Sequence, residues 1–335
     1  MEKDMKKMKY KFSIIIATKD RLKILEAFLL SLHNSGVLSR KDTETIIVNN
    51  GPNNKKIKKL CESYAVRYII EEIKGKSFAL NKGVKNSKGD FLVFTDDDVI
   101  IKNKKWLDEL HKPFSKKPLL GYVSGDVMAF NKDNNLVRKW EKKGGLSKGK
   151  KSKYFSRKFL SKFKIKPWPL TKICAGANCI VPRKVLNEIG GFNTFFGPGA
   201  PIGHGESLLI GYDIIKKGYE LYYNPNANVY HKHPEQGLEL KKKLYLYGTG
   251  DTGIYGYIFM KHFDFRALYW GVIGHPLYTC KKILKSIFKK YPLPPIYPIN
   301  SLKGSLIGFW KFQILHLFKY RNFCWKPFKK DTSFY

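Results

Sequence analysis

The sequence is poor in several features that would narrow its class at once. Its five cysteines are an odd, scattered set without a CxxC pair, which argues against a disulfide framework or a zinc ribbon. The start of the chain has no apolar signal core, so we expect no export and a reducing cytoplasm as the setting. The most apolar late stretch, residues 267–280, contains His275 and Pro276 and is shorter than the roughly 20 residues of a spanning helix. The sequence therefore predicts a protein that can lie on a membrane without crossing it.

Acidic residues are scarce relative to basic ones. The chain of 335 residues has 63 Lys and Arg against 27 Asp and Glu, which gives a net charge of +36. Such a charge attracts phosphates, anionic lipid surfaces or nucleic acid, and does not choose among them. Hydrophobic residues make up 43% of the chain, which excludes a disordered or collagen-like protein. The length predicts two domains, at roughly 150 residues for each.

The first third of the chain alternates strand-like runs with helical patterns. This alternation is typical of βαβ units and a largely parallel sheet, as in a nucleotide-binding α/β domain. The predicted strands cover residues 12–17, 44–48, 66–70 and 90–95, and the predicted helices cover residues 22–32, 53–64 and 77–85.

The middle of the chain changes composition abruptly. Residues 138–166 hold thirteen Lys or Arg against one acid, Glu141, and we predict a mobile basic loop there. Regular structure is predicted to resume with a strand at 178–182, helices at 183–189 and 206–217, a glycine-rich loop at 190–205 and a strand that ends at His231.

Three consecutive carboxylates, Asp96, Asp97 and Asp98, follow a strand-like run. Carboxylates held together repel one another unless a cation or hydrogen-bond donors neutralise them. In an extended chain Asp96 and Asp98 point the same way, so one can face a ribose hydroxyl while the other binds a hard cation such as Mg²⁺ or Mn²⁺. For the motif alone, a solvated acidic turn is the alternative.

Four blocks of the sequence resemble those of the family 2 glycosyltransferases. They are IIIATKDR at 14–21, VNNG at 48–51, KSFALNKG at 76–83 and FTDDDV at 94–99. The resemblance spans about residues 11–234 and implies an α/β GT-A (Rossmann-like) mixed sheet with covering helices. In an open α/β sheet the ends of the strands, where these blocks lie, form the ligand-binding edge.

The resemblance also implies roles for single residues. Thr18 and Asn49 would contact the base, although the family usually has Asp at the second position. Lys76 would contact the ribose-phosphate region and Asp98 the metal, and the remaining two acids, Asp96 and Asp97, would bind the nucleotide sugar. An ordinary capping and turn role is the alternative for Thr18 and Asn49.

A second set of matches follows in the glycine-rich loop and beyond it, with GGFN at 190–193, GPG at 197–199, GHGES at 203–207 and NVYH at 228–231. In the family this loop shapes the cleft, and an acidic pair that opens the next helix supplies the catalytic base. Here Ser207 stands at the second acidic position, so Glu206 is the predicted base. A favourable place in the helix dipole is the alternative for Glu206. His231 is a predicted metal ligand, with a structural histidine as the alternative.

The resemblance implies a metal-dependent inverting glycosyltransferase that uses a nucleotide-diphosphate sugar and a lipid-linked or polysaccharide acceptor, as in polysaccharide or cell-envelope biosynthesis. Two alternatives remain open: a catalytically impaired nucleotide-sugar-binding partner protein and a basic nucleic-acid-binding protein. The sequence has no RNP-type, KH or zinc-finger pattern, so we expect no nucleic-acid partner.

The tail of the chain is basic and aromatic. We predict a GT-A catalytic domain at 1–234 and a C-terminal helical amphipathic extension at 235–335. Its two amphipathic candidates, residues 277–291 and 302–318, carry flanking lysines, which fits an anionic membrane surface. The predicted location is cytoplasmic and peripheral, on the inner face of the membrane. A covering helix with a solvated basic face is the alternative.

Overall fold

The computed structural model describes residues 10–142, 145–156, 158, 170–233 and 235–319. The strands are β1 (Phe12–Thr18), β2 (Thr43–Asn49), β3 (Arg67–Ile70), β4 (Phe91–Asp96), β5 (Val99–Ile100), β6 (Leu120–Ala129), β7 (Lys153–Phe155), β8 (Asn178–Pro182) and β9 (Glu220–His231). The α-helices are α1 (Leu22–Asn34), α2 (Lys55–Ser63), α3 (Lys76–Lys85), α4 (Trp106–His111), α5 (Asn135–Lys142), α6 (Arg183–Ile189), α7 (Glu206–Lys216), α8 (Gly237–His262), α9 (Phe265–Tyr269), α10 (His275–Ile287) and α11 (Ile296–Lys319).

One mixed sheet has the strand order β3-β2-β1-β4-β8-β6-β9-β5, and β7 pairs with β9 at its side. Strands β1 to β4 are parallel to their neighbours among themselves, whereas β8 is antiparallel to both β4 and β6. The chain moves outward from β1 to β3 and then returns to place β4 on the other side of β1. This reversal creates a crevice at the carboxyl ends of β1 and β4, where open α/β sheets bind ligands.

Two hydrophobic layers cover the sheet because side chains alternate along each strand. Ile14 and Ile16 of β1 pack in one cluster with Phe28 and Leu29 of α1. Ile15, between them, belongs to the opposite cluster, which includes residues of α3, α6 and α7. The predicted elements of the first third are therefore present, with ends that differ from the predictions by one to two residues.

The predicted loop at 138–166 is wrong at both of its described ends. Val137 and Trp140 are buried on one face of α5, which continues through Lys142, because Trp140 packs against Leu240 and Leu244. Strand β7 lies antiparallel to β9 and buries Phe155. The buried side chains of Val137, Trp140 and Phe155 thus order parts of a segment that is rich in basic residues. Residues 143, 144, 157 and 159–166 of the predicted loop lie outside the described residues.

The C-terminal helices pack directly on the sheet domain. Tyr257 and Phe312, from α8 and α11, lie in the same hydrophobic cluster as Phe196. Helices α8 and α11 approach closely at Gly308, where an added Cβ would lie 2.1 Å from the Thr249 carbonyl oxygen. Helix α10 begins and ends earlier than the helix predicted at 277–291. Helix α11 extends beyond both ends of the helix predicted at 302–318. Helix α8 was not predicted. Within the described part of the chain, no helix combines the length and apolarity needed to cross a bilayer.

Candidate active site

A cleft of about 790 Å³ opens at the carboxyl ends of β1 and β4. Its walls come from both halves of the chain, since β9 and α8 supply residues as well as the early strands. Among the lining residues are Thr18, Arg21, Lys76, Asp96, Asp97, Asp98, His231, Glu239 and Lys243. Six of the predicted site residues therefore line one cavity: Thr18, Lys76, Asp96, Asp97, Asp98 and His231.

Asp97 is fully buried at the inner wall of this cleft. Its carboxylate accepts a hydrogen bond of 2.7 Å from the Thr18 hydroxyl and one of 3.0 Å from Arg21 Nε. Burial raises the pKa of Asp97 to about 6, while the charge of Arg21 acts in the opposite direction. Thr18 and Arg21 thus fix the position of the Asp97 carboxylate at the junction of β1 and β4, in the wall of the cleft.

Asp96, Asp98 and His231 form a group that could hold a divalent metal ion, with ligand atoms that lie within 4.8 Å of one another. Strand pairing brings them together, because Val99 of β5 pairs with His231 at the end of β9. His231 Nε2 lies 3.2 Å from Asp98 Oδ1. Apart from this contact with His231, that buried Oδ1 has no hydrogen-bond partner among the described residues. A hard cation would complete the coordination of such an oxygen, so the residues present fit the predicted metal.

The charge of Asp98 is maintained by its neighbours. Burial acts to raise the pKa of Asp98, but the hydrogen bond and charge of His231, with the charges of Arg21 and Lys243, outweigh burial and hold this pKa below its ordinary value. The carboxylate is consequently ionised at neutral pH, which is the form that ligates a metal.

Lys76 is the first residue of α3, and its ammonium group contacts Asp96. The turn before it is fixed by Asn50, whose side chain accepts from the Gly75 amide and donates to the carbonyls of Glu71 and Ile73. Lys76 is therefore held at the mouth of the metal group by the loop after β2.

Glu206 is the first residue of α7. The residue before it, Gly205, has a φ of +102°, a left-handed backbone conformation that favours glycine. The carboxylate is 6% exposed and its Oε1 lies 3.4 Å from Lys76 Nζ. Glu206 lines a small inner cavity together with Ser207 and Tyr122, and Lys76 lines both this cavity and the main cleft. The structure thus places Glu206 behind Lys76.

Asn49 is fully buried, and its Nδ2 donates to the Pro52 carbonyl over 2.7 Å. Its Oδ1 is buried without a hydrogen-bond partner among the described residues. The neighbouring Asn50 lines the cleft. Asn49 therefore lies one layer below the surface at which the sequence pattern placed it.

Arg21 and Lys243 line the cleft, but neither of them had a predicted role. Arg21 ends the first motif block, and an arginine so close to a predicted ligand edge was a signal that could have been used. Lys243 lies on α8, a helix that the sequence pattern did not predict, so no local signal pointed to it.

Comparison with known proteins agrees with this geometry. The protein-family model described as "Glycosyl transferase family 2" matches residues 13–190 of this chain. Among solved structures, a mannosyltransferase from Pyrobaculum calidifontis in complex with GDP-Man and Mn²⁺ is 14% identical with a TM-score of 0.58, over 92% of this chain and 87% of that chain. No curated protein matches the chain.

Glucosyl-3-phosphoglycerate synthase from Mycobacterium tuberculosis, in complex with Mn²⁺, UDP and glucosyl-3-phosphoglycerate, is also 14% identical, with a TM-score of 0.47 over 72% of this chain and 78% of that chain. The likeness to the mannosyltransferase confirms the predicted GT-A fold with its mixed sheet, and the family match covers more than half of the chain. The chain belongs to glycosyl transferase family 2 and is a glycosyltransferase.

Proposed function

We propose that this enzyme transfers a sugar, with inversion, from a nucleoside-diphosphate donor to a hydroxyl group of a lipid-linked or polysaccharide acceptor. The observation that carries the proposal is the group of Asp96, Asp98 and His231 in the cleft at the switch point of the sheet. The mannosyltransferase of similar fold was solved with GDP-Man and Mn²⁺, which supports a nucleotide-sugar donor and Mn²⁺ or Mg²⁺ here.

Asp96, Asp98 and His231 would hold the metal. A divalent cation bound there supplies positive charge beside the diphosphate that leaves. Around it, Arg21 and Thr18 hold Asp97 in place, and Lys76 adds a cation at the cleft mouth. Because Arg21 is held by Asp97 and Asp98 before substrate binds, its charge can stabilise developing negative charge without reorganisation.

Inverting transfer needs a carboxylate that takes the proton of the acceptor hydroxyl. We propose Glu206 for this role. Its carboxylate lies behind Lys76 in the structure, so Lys76 would have to turn toward the diphosphate for Glu206 to reach the acceptor. Binding of the donor would in this way open the base to the acceptor.

The orientation of α10 supports a lipid surface as the place of action. Its polar residues Thr279 and Ser286 are buried against the protein, whereas Leu284 and Ile287 are 55% and 56% exposed. Exposed lysines, Lys281, Lys285, Lys289 and Lys290, flank the apolar face. A helix that presents apolar residues outward between lysines is suited to an anionic membrane interface.

The segment that follows α10 packs against a helix that lines the cleft. Leu293, just after α10, packs with Leu240 and Leu244 in the first turns of α8, and Glu239 and Lys243 of the same turns line the cleft. A lipid-linked acceptor in the interface would therefore have its head group close to the metal group.

Calorimetry tests the donor site. UDP, GDP, dTDP and CDP would be titrated at moderate salt, with and without Mn²⁺, into wild type, Asp98→Asn and the control Asp108→Asn. Asp108 is exposed and pairs with Arg40 near the opposite end of β1. Its substitution therefore removes the same charge as Asp98→Asn, but at a position away from the cleft.

We expect one nucleotide to bind in a metal-dependent way to wild type and to Asp108→Asn, and this binding to be lost in Asp98→Asn. Equal binding of all four nucleotides without metal, or no binding, would overturn the proposal. Binding without turnover of the corresponding sugar nucleotide would identify the catalytically impaired partner protein instead.

A further inference from the structure

Lys243 brings a cation from the C-terminal helices into the cleft. It lies two turns into α8 and lines the cavity together with Asp98. Its Nζ lies 5.8 Å from the ring centroid of Tyr247, one turn further along the helix. The Tyr247 ring is itself held, with its centroid 4.2 Å from that of His204 and 5.9 Å from that of Trp140. The ammonium group is therefore presented by an ordered aromatic support.

Lys243 differs from the other cations of the cleft. Arg21 is engaged by Asp97 and Asp98, and Lys76 by Asp96 and Glu206. The remaining lysines of the lining, Lys19, Lys74 and Lys232, are exposed. Lys243 is half-buried, and within the described ranges it forms no direct ion pair with a carboxylate. A partly desolvated ammonium group needs negative charge nearby, and here the charges of Asp98 and Asp96 supply it from a distance.

The field of the metal group keeps Lys243 charged. Burial acts to lower the pKa of Lys243, but the interaction with Tyr247 and the charges of Asp98 and Asp96 outweigh burial and raise this pKa. A divalent cation bound by Asp96 and Asp98 would neutralise these two carboxylates. Lys243 would then lack nearby negative charge, and an incoming anion could supply it.

We propose that Lys243 binds a phosphoryl group next to the metal group, so that α8 completes the active site from the C-terminal half of the chain. This inference rests on the proposed function. The anion has two possible sources that share this chemistry. One is the terminal phosphate of the nucleoside diphosphate, and the other is the phosphate of a lipid-linked acceptor.

The test uses Lys243→Gln, the charge-retaining Lys243→Arg, and Lys242→Gln as a matched control. Lys242 is exposed and precedes Lys243 on α8. Its substitution lowers the net charge of the protein by the same amount as Lys243→Gln. The nucleoside diphosphate that binds to wild type with Mn²⁺ is titrated into each variant, alongside its monophosphate. Farnesyl phosphate is then titrated into protein saturated with the diphosphate and Mn²⁺, and circular dichroism checks each fold.

If Lys243 binds the donor, the diphosphate should bind about tenfold more weakly to Lys243→Gln, a loss of about 1.4 kcal/mol, and the monophosphate should bind as to wild type. If it binds the acceptor, only farnesyl phosphate should weaken to that extent. In either case Lys243→Arg should recover most of the affinity and Lys242→Gln should behave as wild type.

Unchanged affinity of Lys243→Gln for both phosphates, in a wild type that binds the diphosphate, would overturn the inference and leave the proposed function standing. Equal weakening in Lys242→Gln would also overturn it, because the effect would then come from the general field. Failure of wild type to bind any nucleoside diphosphate would instead overturn the proposed function itself.

Discussion

Lys76 joins Asp96 to Glu206: its ammonium group contacts the first carboxylate and lies 3.4 Å from Oε1 of the second. Burial acts to lower the pKa of Lys76, but the charges of Asp96 and Glu206 outweigh it and raise this pKa. The bridge links the carboxyl end of β4 to the first turn of α7. The proposed metal ligand and the proposed base therefore share one cation.

The Glu206→Gln variant tests the role of this carboxylate. If Glu206 is the base, kcat should fall by about 10²- to 10⁴-fold, while the affinity for nucleoside diphosphate changes little. Turnover of the sugar nucleotide and calorimetry with the diphosphate give these values, and Glu188→Gln on α6 is the control. A weaker diphosphate affinity with kcat nearly unchanged would instead show that Glu206 positions Lys76.

The close approach of α8 and α11 predicts a large effect of Gly308→Ala. The added Cβ would meet the Thr249 carbonyl oxygen at 2.1 Å and Thr252 Oγ1 at 2.4 Å, so the helices must separate. We expect a loss of about 1–3 kcal/mol in the free energy of unfolding, measured with urea. Leu306→Ala, at a position of the same helix that is 55% exposed, should change stability little. Equal stability of Gly308→Ala and wild type would contradict the packing.

The outward face of α10 predicts binding to anionic vesicles. The double variant Leu284→Ser, Ile287→Ser should partition at least tenfold more weakly into vesicles of phosphatidylcholine and phosphatidylglycerol, since each buried side chain contributes about 1.5–3 kcal/mol. Co-sedimentation measures the partition. Leu30→Ser, at a position of α1 that is 49% exposed, is the matched control. Vesicle binding that is unaffected by the double variant but lost with Leu30→Ser would place the lipid contact elsewhere.

His111, the last residue of α4, predicts a pH dependence of stability. Its ring packs on Phe12 and Phe91, with centroid distances of 5.3 and 4.6 Å. Burial, assisted by the charge of Lys11, lowers the pKa of His111 below the ordinary 6.5. The unfolded chain then binds the proton more readily, so this contribution is complete above pH 6.5 and is lost as the pH falls through the folded value.

The free energy of unfolding of wild type should accordingly decline between pH 7.5 and pH 5, and His111→Phe should show a smaller decline. Urea unfolding at the two pH values measures both. His33→Phe, at an exposed position of α1, is the control. An identical decline in wild type and His111→Phe would refute the assignment to His111.

Local sequence pattern was enough to predict the first half of the sheet and the acidic residues at the end of β4. The strands β1 to β4 and the helices between them follow from local periodicity, which depends only on near neighbours along the chain. Asp96 and Asp98 were predicted from the acidic run that follows the apolar strand, although the expected extended chain is a turn at residues 97 and 98. The family motifs added Lys76 and Glu206, with Ser207 at the departure from the pattern.

The tertiary structure decided which distant groups meet. His231 reaches Asp98 only because β5 pairs with β9 in a register that sets Val99 opposite His231. Lys243 enters the cleft only because α8 packs across the sheet domain. The apolar stripe of α10 was readable in the sequence, yet its outward direction depends on the burial of Thr279 and Ser286. The local sequence pattern predicts where apolar side chains lie along a segment. Long-range packing determines which face of that segment is covered and which residues from other segments lie beside it.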